Sequence, residues 1–318
     1  MLCAIYDFNI YLAWVIGIYT FVHSVCMITK LVIRNYFRKP LNIQERYGKG
    51  TWAMVTGATG GIGEAYCLEF AKQNFNIVLS GRSLEKLQDM EEKVKKINGK
   101  VKTKIVTADL GETVDVDFYK KIYEQVKDLD ISILVNNAAW GEVAPFDEKS
   151  LDFHLGNART NAGAPTMITH SLIDKLTSRN KKSAIINVSA AGQNAPVPYA
   201  GVYPATKRYL TIFSYFLHDN FGDKIDVQNL TPGYVSTKIV GHRKGGDTIS
   251  PEVCIKSSLR DLGQEFNCLP VIAHSIYAQV FHTLYRYCKP LYKVVVVDEV
   301  EMTHLRKFYN THKEPLSH

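Results

Sequence analysis

The chain predicts an α/β protein: a doubly wound parallel sheet preceded by an apolar N-terminal helix. Three observations carry that expectation. From Trp52 onward, short apolar runs alternate with helical stretches, the pattern of right-handed βαβ crossovers with helices on both faces of a parallel sheet. The first run, Trp52 to Val55, leads into a glycine-rich string, Thr56 to Gly63, and then a helical stretch, Glu64 to Gln73. Turn-forming residues follow one strand candidate after another. The 318 residues, 46% hydrophobic and 22% charged, suffice for one large domain of this kind plus an appendage.

Taken in order, the first element is Phe8 to Thr29, almost uninterrupted apolar and aromatic residues broken by His23 and Ser24. Its length suits a bilayer-spanning helix of about 20 residues. A secretory leader would want a basic start and a small-residue cleavage site. Here Asp7 precedes the run, and the cations Lys30, Arg34, Arg38 and Lys39 follow it. A mitochondrial presequence would be Arg-rich and amphipathic, and a buried core helix is the bland alternative. The run reads as a membrane anchor over 1–36, with the rest of the chain cytosolic by the positive-inside rule. Tyr6, Phe8, Tyr11, Tyr36 and Phe37 suit interfacial belts. A polar linker over 37–50, clearest from Pro40 to Gly50, precedes the α/β domain, 51–240.

The strand candidates are Ala53–Val55, Ile77–Leu79, Lys104–Val106, Ile131–Val135, Ala184–Val188 and Val227–Leu230. The helix candidates are Glu64–Gln73, Leu84–Lys96, Val116–Lys127, Thr166–Thr177 and Tyr203–Phe216. In open sheets of this kind the ligand binds beyond the carboxyl ends of the strands, so the residues there are the candidates for chemistry. The first strand ends in Thr56-Gly57-Ala58-Thr59-Gly60-Gly61-Ile62-Gly63. Glycines let the backbone approach a pyrophosphate, and the helix that follows supplies free N–H groups and a partial positive charge. The second strand ends in Ser80-Gly81-Arg82-Ser83. A dinucleotide site that selects NAD places a carboxylate there; Arg82 suits a 2′-phosphate, which favours NADP(H). Then come Asp109, Asn136-Asn137-Ala138-Ala139, Ser189 and Thr231-Pro232-Gly233.

Tyr203 and Lys207 are four apart, so on a helix they share a face. A phenol of pKa about 10 is a poor proton donor or acceptor at neutral pH, and a neighbouring ammonium favours its phenolate. The spacing alone is not diagnostic, since Tyr123/Lys127, Tyr234/Lys238, Tyr285/Lys289 and Tyr309/Lys313 share it. Ser189, at the preceding strand end, makes the array Ser189…Tyr203-Pro-Ala-Thr-Lys207 specific. Pro204 is tolerable in the first turn of a helix.

The remaining composition narrows the field. The net charge of +7 is modest and fits an anionic membrane surface or anionic ligands without requiring either. No basic stretch interleaved with aromatics suggests nucleic-acid binding. The six cysteines are scattered, with no C-x-x-C, so a disulfide framework is not expected. His274, His282 and His304 do not form a metal-ligand spacing, and no metal is expected.

The order TGxxxGIG, NNA, Asn161, Ser189, YxxxK and PG over Thr51 to Thr237 resembles the short-chain dehydrogenase/reductase superfamily. With the N-terminal anchor, the chain is similar to the membrane-bound branch holding very-long-chain 3-oxoacyl-CoA reductases and 17β-hydroxysteroid dehydrogenases. The resemblance implies a Rossmann-type fold and NADPH-dependent reduction of a lipid ketone at the endoplasmic reticulum membrane. It implies Tyr203 as general acid, Lys207 lowering its pKa and holding the nicotinamide ribose, and Ser189 orienting the substrate carbonyl. Asn161, or Asn157 one turn away, would hold a water linking Lys207 to solvent. Thr56, Gly57, Thr59, Gly61, Ile62 and Gly63 would cradle the pyrophosphate, with Arg82 on the 2′-phosphate and Asp109 on the adenine. Asn136, Asn137 and Ala138 would line the cofactor's middle, and Pro232, Gly233 and Val235 would cover the nicotinamide. Family members often dimerise, so a homodimer is an expectation. One departure is Ala139, where the family has glycine; if that position needs positive φ, alanine strains the loop by about 1–2 kcal/mol. That departure and the C-terminal tail motivate an alternative, a catalytically silent reductase-fold subunit of a membrane complex. Residues 241–318 read as a substrate lid and a C-terminal helical and tail segment. Within it, Val240–Asn267 forms the lid with Gly245 and Gly246 as hinges, and Leu269–Tyr287 is an apolar helix that faces either lipid or the core.

Overall fold

The computed structural model describes residues 2–142, 146–197, 200–237, 245 and 248–297. The chain divides into two units, 1–40 and 41–318. The first unit is the helix α1, Leu2–Val32, continued by a π turn, Ile33–Phe37. Trp14–Phe37 is long and apolar enough to cross a membrane. Trp14, Ile18, Phe21 and Ile28 are exposed along it, as lipid-facing side chains are.

In the second unit the strands are β1 (Trp52–Thr56), β2 (Asn76–Gly81), β3 (Thr103–Thr107), β4 (Ile131–Asn136), β5 (Ser183–Val188), β6 (Ile225–Leu230) and β7 (Asn267–Cys268). They form one parallel sheet in the order β3-β2-β1-β4-β5-β6-β7. Every residue of β4 and β5 is buried, while the edge strand β3 is mostly open. Burial on both faces is why the central strands read as continuous apolar runs. The six expected strands are present; β7 is two residues long, too short to leave a pattern.

Helices cover both faces. Ala53, Val55, Ile133, Ala184 and Ile186 pack under α3 (Gly61–Lys72), α4 (Leu84–Ile97) and α9 (Pro251–Asp261). Met54, Ile131, Leu134 and Ile185 pack under α5 (Val116–Glu124), α7 (Ala164–Thr177) and α8 (Tyr203–Phe221). Ser83, Asp115 and Ser250 cap α4, α5 and α9, their side chains accepting from first-turn N–H groups.

Three stretches differ from the sequence reading. The linker stretch carries a helix, α2 (Ile43–Tyr47), capped by Asn42. Ile43 and Tyr47, four apart on one face, are buried. The Tyr47 hydroxyl donates to Asp226 Oδ2 at 2.8 Å, and the Arg46 guanidinium grips the same carboxylate through both oxygens. Eleven residues of the stretch expected as a lid form α9, whose Cys254, Ile255 and Leu259 belong to the core; the hinge partner Gly246, the residues 238–244 and the tail from 298 lie outside the described residues. A helix α6 (Leu151–Ala158) and a π turn, Arg159–Gly163, precede α7. Glycine, asparagine and proline there carry low helix propensity, which packing overrides. The apolar run after Leu269 is α10 (Ile272–Tyr287), followed by α11 (Lys289–Tyr292). Ile276, Tyr277 and Val280 are exposed on α10, and His274 is buried.

Removing the Tyr47 hydroxyl takes a hydrogen bond from a partly buried carboxylate. Tyr47→Phe is expected to cost about 1–2 kcal/mol and Tyr47→Ala about 3–5 kcal/mol, read from urea unfolding of the detergent-solubilised protein.

Candidate active site

The glycine-rich turn between β1 and α3 is built by close approach. Gly57 and Gly61 have φ of 66° and 56°, the left-handed region that glycine tolerates. A Cβ on Gly57 would lie 2.9 Å from Ala138 Cα, and one on Gly61 2.8 Å from Thr237 Cγ2. A Cβ on Gly63 would lie 2.1 Å from the Gly57 carbonyl oxygen and 2.5 Å from Asn137 Nδ2. Gly60, the cap residue of α3, has nothing within 4 Å of its Cβ position. No side chain caps the first N–H groups of α3, the arrangement that accepts a pyrophosphate.

Thr56 and Asn137 tie this turn to the end of β4. Thr56 Oγ1 accepts from the N–H groups of Asn137 and Ala138, both at 3.0 Å. Asn137 Nδ2 donates to the carbonyls of Thr56 and Gly57 at 2.9 and 3.1 Å. Ile62 packs on the core and Thr59 Cγ2 lies near Gly81. Asn136, expected to line the cofactor's middle, packs within the sheet. Its amide is buried and donates to Asn187 and Thr169 at 2.8 and 3.1 Å, because alternation along β4 turns it into the sheet's packing. Ala139 is unstrained: among described non-glycine residues only Asn74 has positive φ. Arg82 and Asp109 stand together beyond β2 and β3, with Nη1 and Oδ2 3.9 Å apart.

Tyr203 and Lys207 sit on one face of the first turns of α8, and Pro204 falls in the first turn as expected. The Lys207 ammonium lies 5.5 Å from the Tyr203 ring centroid and donates to the Val188 carbonyl at 2.7 Å. Burial pushes the Lys207 amine down to about 8 and the Tyr203 phenol up to about 12. The expected lowering of the tyrosine by its lysine is therefore outweighed here by desolvation. Tyr203 stays protonated across neutral pH. Its ring lies against Gly141, where a Cβ would come within 2.5 Å.

Ser189 faces α8. Its Oγ donates to the Lys207 carbonyl at 2.8 Å and lies 3.0 Å from Thr211 Oγ1 and 3.2 Å from Gln193 Oε1. It is buried, and among the described residues it forms no hydrogen bond with Tyr203. Strand alternation explains this: Asn187 and Ser189 point to the same face, toward Ser214 and Thr211 of α8. Together with the Lys207–Val188 bond, Ser189 stitches the end of β5 to α8.

Asn161 lies in the π turn, a feature enriched at functional sites. Its Oδ1 accepts from Trp140 N–H, and its Nδ2 donates to the Trp140 carbonyl and to Asn157 Oδ1, each at 2.8 Å. A weaker bond reaches Thr206 Oγ1 at 3.2 Å, so the two asparagines weighed for one role are partners. Beyond β6, Gly233 N–H donates to the buried His274 Nδ1 at 3.1 Å. Pro232 accepts from Ala191 N–H, and Val235 is buried in the core. Trp140 and Gln193 escaped sequence reading because neither belongs to a motif, and His274 was weighed only as a metal ligand; a tryptophan directly after the Asn-Asn-Ala-Ala strand end was the available signal. Among the described residues no group of His, Cys, Asp and Glu could hold a metal ion.

Comparisons with known proteins agree with this geometry. The family model described as short chain dehydrogenase matches residues 51–246. A very-long-chain 3-oxoacyl-CoA reductase of Bos taurus is 34% identical over 241 residues, 74% of this chain and 76% of that one. Hydroxysteroid dehydrogenase-like protein 1 of Gallus gallus is 37% identical over 203 residues, 63% of this chain and 60% of that one. Among solved structures, a 7β-hydroxysteroid dehydrogenase has the same fold, with a TM-score of 0.68 at 22% identity, covering 79% of this chain and 98% of that one. A short-chain dehydrogenase from Sphingobium yanoikuyae in complex with NADPH gives 0.63 at 22% identity, covering 72% and 91%.

Gly63→Ala forces backbone apart at the tightest point of the turn. A loss of about 1–3 kcal/mol of stability and at least a tenfold weaker nicotinamide dinucleotide affinity are expected, read by thermal unfolding and by equilibrium titration.

Proposed function

The chain belongs to the short-chain dehydrogenase family, an oxidoreductase acting on CH–OH groups, and on that footing we propose that it reduces a lipid ketone to a secondary alcohol with NADPH. A long-chain 3-oxoacyl-CoA is the first substrate and a 17-ketosteroid the second. The observation that carries the reading is the Tyr203–Lys207 pair, set on one face of α8 beside the open glycine cradle. The names of the relatives, 3-oxoacyl-CoA reductase and hydroxysteroid dehydrogenase-like protein, support the substrate class. The apolar α1, with Lys30, Arg34, Arg38 and Lys39 at its C-terminal side, supports an anchor in the endoplasmic reticulum membrane with the catalytic unit in the cytosol. The exposed face of α10 suits a greasy substrate arriving from lipid.

The residues present fit a nicotinamide dinucleotide: the cradle excludes side chains at Gly57, Gly61 and Gly63 and leaves the helix end open. Bound there, NADPH supplies the hydride for the carbonyl carbon. Tyr203, kept protonated by its burial, gives its proton to the carbonyl oxygen as charge develops on it. Lys207, while charged, stabilises the phenolate left behind and would hold the ribose hydroxyls. Arg82 would take the 2′-phosphate and Asp109 the adenine. Asn161 fixes the loop carrying Trp140 and Gly141 against the Tyr203 ring.

One observation favours the second reading, a catalytically silent subunit: the Ser189 hydroxyl is spent on α8 rather than offered to a substrate oxygen. Turnover decides between the two. With a long-chain 3-oxoacyl-CoA and a 17-ketosteroid offered to the solubilised protein, NADPH oxidation that falls at least 1,000-fold in Tyr203→Phe supports the enzyme; NADPH oxidation that persists in Tyr203→Phe sinks the proposed acid. Absence of NADPH binding supports the subunit.

The Lys207 amine is charged below about pH 8 and neutral above it. Reduction, measured as kcat/KM in the free enzyme, is therefore expected to decline as pH rises through about 8. Tyr203 loses its proton only near 12 and adds no limb below that. A profile flat from pH 7 to 10 would refute a catalytic ammonium.

A further inference from the structure

We propose that Trp140 is a specificity-determining residue: its indole holds the Arg82 guanidinium where a 2′-phosphate would meet it, and so tunes the preference for NADPH over NADH. This rests on the NADPH reading above.

Arg82 follows β2 with its side chain 68% exposed. A free arginine at such a place keeps its rotamer entropy, and fixing it on a ligand costs affinity. Two fixed groups flank this one. The Asp109 carboxylate lies 3.9 Å from Nη1, and Asp109 is itself oriented by accepting from Gly111 N–H at 2.9 Å. On the other side, the guanidinium carbon lies 5.9 Å from the Trp140 ring centroid, within cation–π range.

The indole is itself immobilised. Asn161 holds the backbone N–H and carbonyl of Trp140. Phe153, on α6, meets the ring edge-on at 5.7 Å. Gly156 and Gly111 form its slot: a Cβ would lie 2.2 Å from the ring at Gly156 and 2.9 Å at Gly111. Trp140 belongs to neither core cluster, so the sheet's packing does not account for it. An aliphatic side chain could fill part of the slot but has no π face to attract a cation. A partly exposed cation–π contact corresponds to about a 2- to 5-fold change in affinity.

The test is calorimetric binding of NADPH and NADH to the full-length, detergent-solubilised protein. Trp140→Leu is expected to weaken NADPH about 2- to 5-fold and leave NADH as it was. Trp140→Phe, which keeps an aromatic face, restores most of the loss. In an Arg82→Ala background, Trp140→Leu adds nothing. Equal weakening of both cofactors, no change in either, or a further loss in the Arg82→Ala background overturns the proposal, since Trp140 then acts on the adenine or on folding. Arg82→Ala alone separates the two levels: if it leaves the NADPH-to-NADH ratio unchanged, the NADPH reading falls and this proposal with it. If Arg82→Ala shifts the ratio but Trp140→Leu does not, only the proposal falls.

Discussion

The site depends on how closely the turn after β1 can approach the end of β4. With Gly63 lacking a side chain, the Asn137 amide reaches the carbonyls of Thr56 and Gly57. The Thr56 hydroxyl returns the contact to the backbone of Asn137 and Ala138. This clasp sets the direction in which α3 leaves the sheet, and so where its uncovered N–H groups point. It also fixes where the chain after β4 starts, and that chain carries Trp140 and Gly141 to Tyr203. One short-range steric allowance thus places both ends of a cofactor cleft.

A second seam joins β5 to α8. Lys207 gives its ammonium to the Val188 carbonyl, and Ser189 gives its hydroxyl to the Lys207 carbonyl. The two bonds run in opposite directions between adjacent residues of the strand end and one residue of the helix. Such reciprocity holds the helix in register but commits both polar groups before any ligand arrives. Of the polar groups on this face, the Tyr203 hydroxyl makes no hydrogen bond among the described residues.

Much of this was legible in the sequence. Six of the strands, the glycine turn and the helix carrying Tyr203 and Lys207 follow from periodicity and turn chemistry, because buried parallel strands and glycine turns leave strong local patterns. What stayed hidden is set by partners distant in the chain. Tyr47 looks like a linker residue until Asp226, 179 positions away, is brought to it. Asn136 and Asn137 are adjacent and identical, yet one serves the sheet and the other the turn, since alternation sends their side chains to different faces. Ser189 reads as an active-site hydroxyl by position, and only the packing of α8 shows where it points. Trp140 carries no motif; its meaning lies in the glycines at 111 and 156 that make room for it.

The Asp226 cluster has a mechanical consequence. Asp226 stands at the start of β6, on the edge of the sheet opposite the cleft, and it grips Arg46 and Tyr47 of α2. Arg179 adds a bond to the Tyr47 carbonyl from the same side. The backbone that emerges from residues 1–40 enters this knot within a few residues, before it reaches β1. An ion pair and a buried tyrosine therefore fix the chain just ahead of β1 to the start of β6, away from the glycine turn and Tyr203.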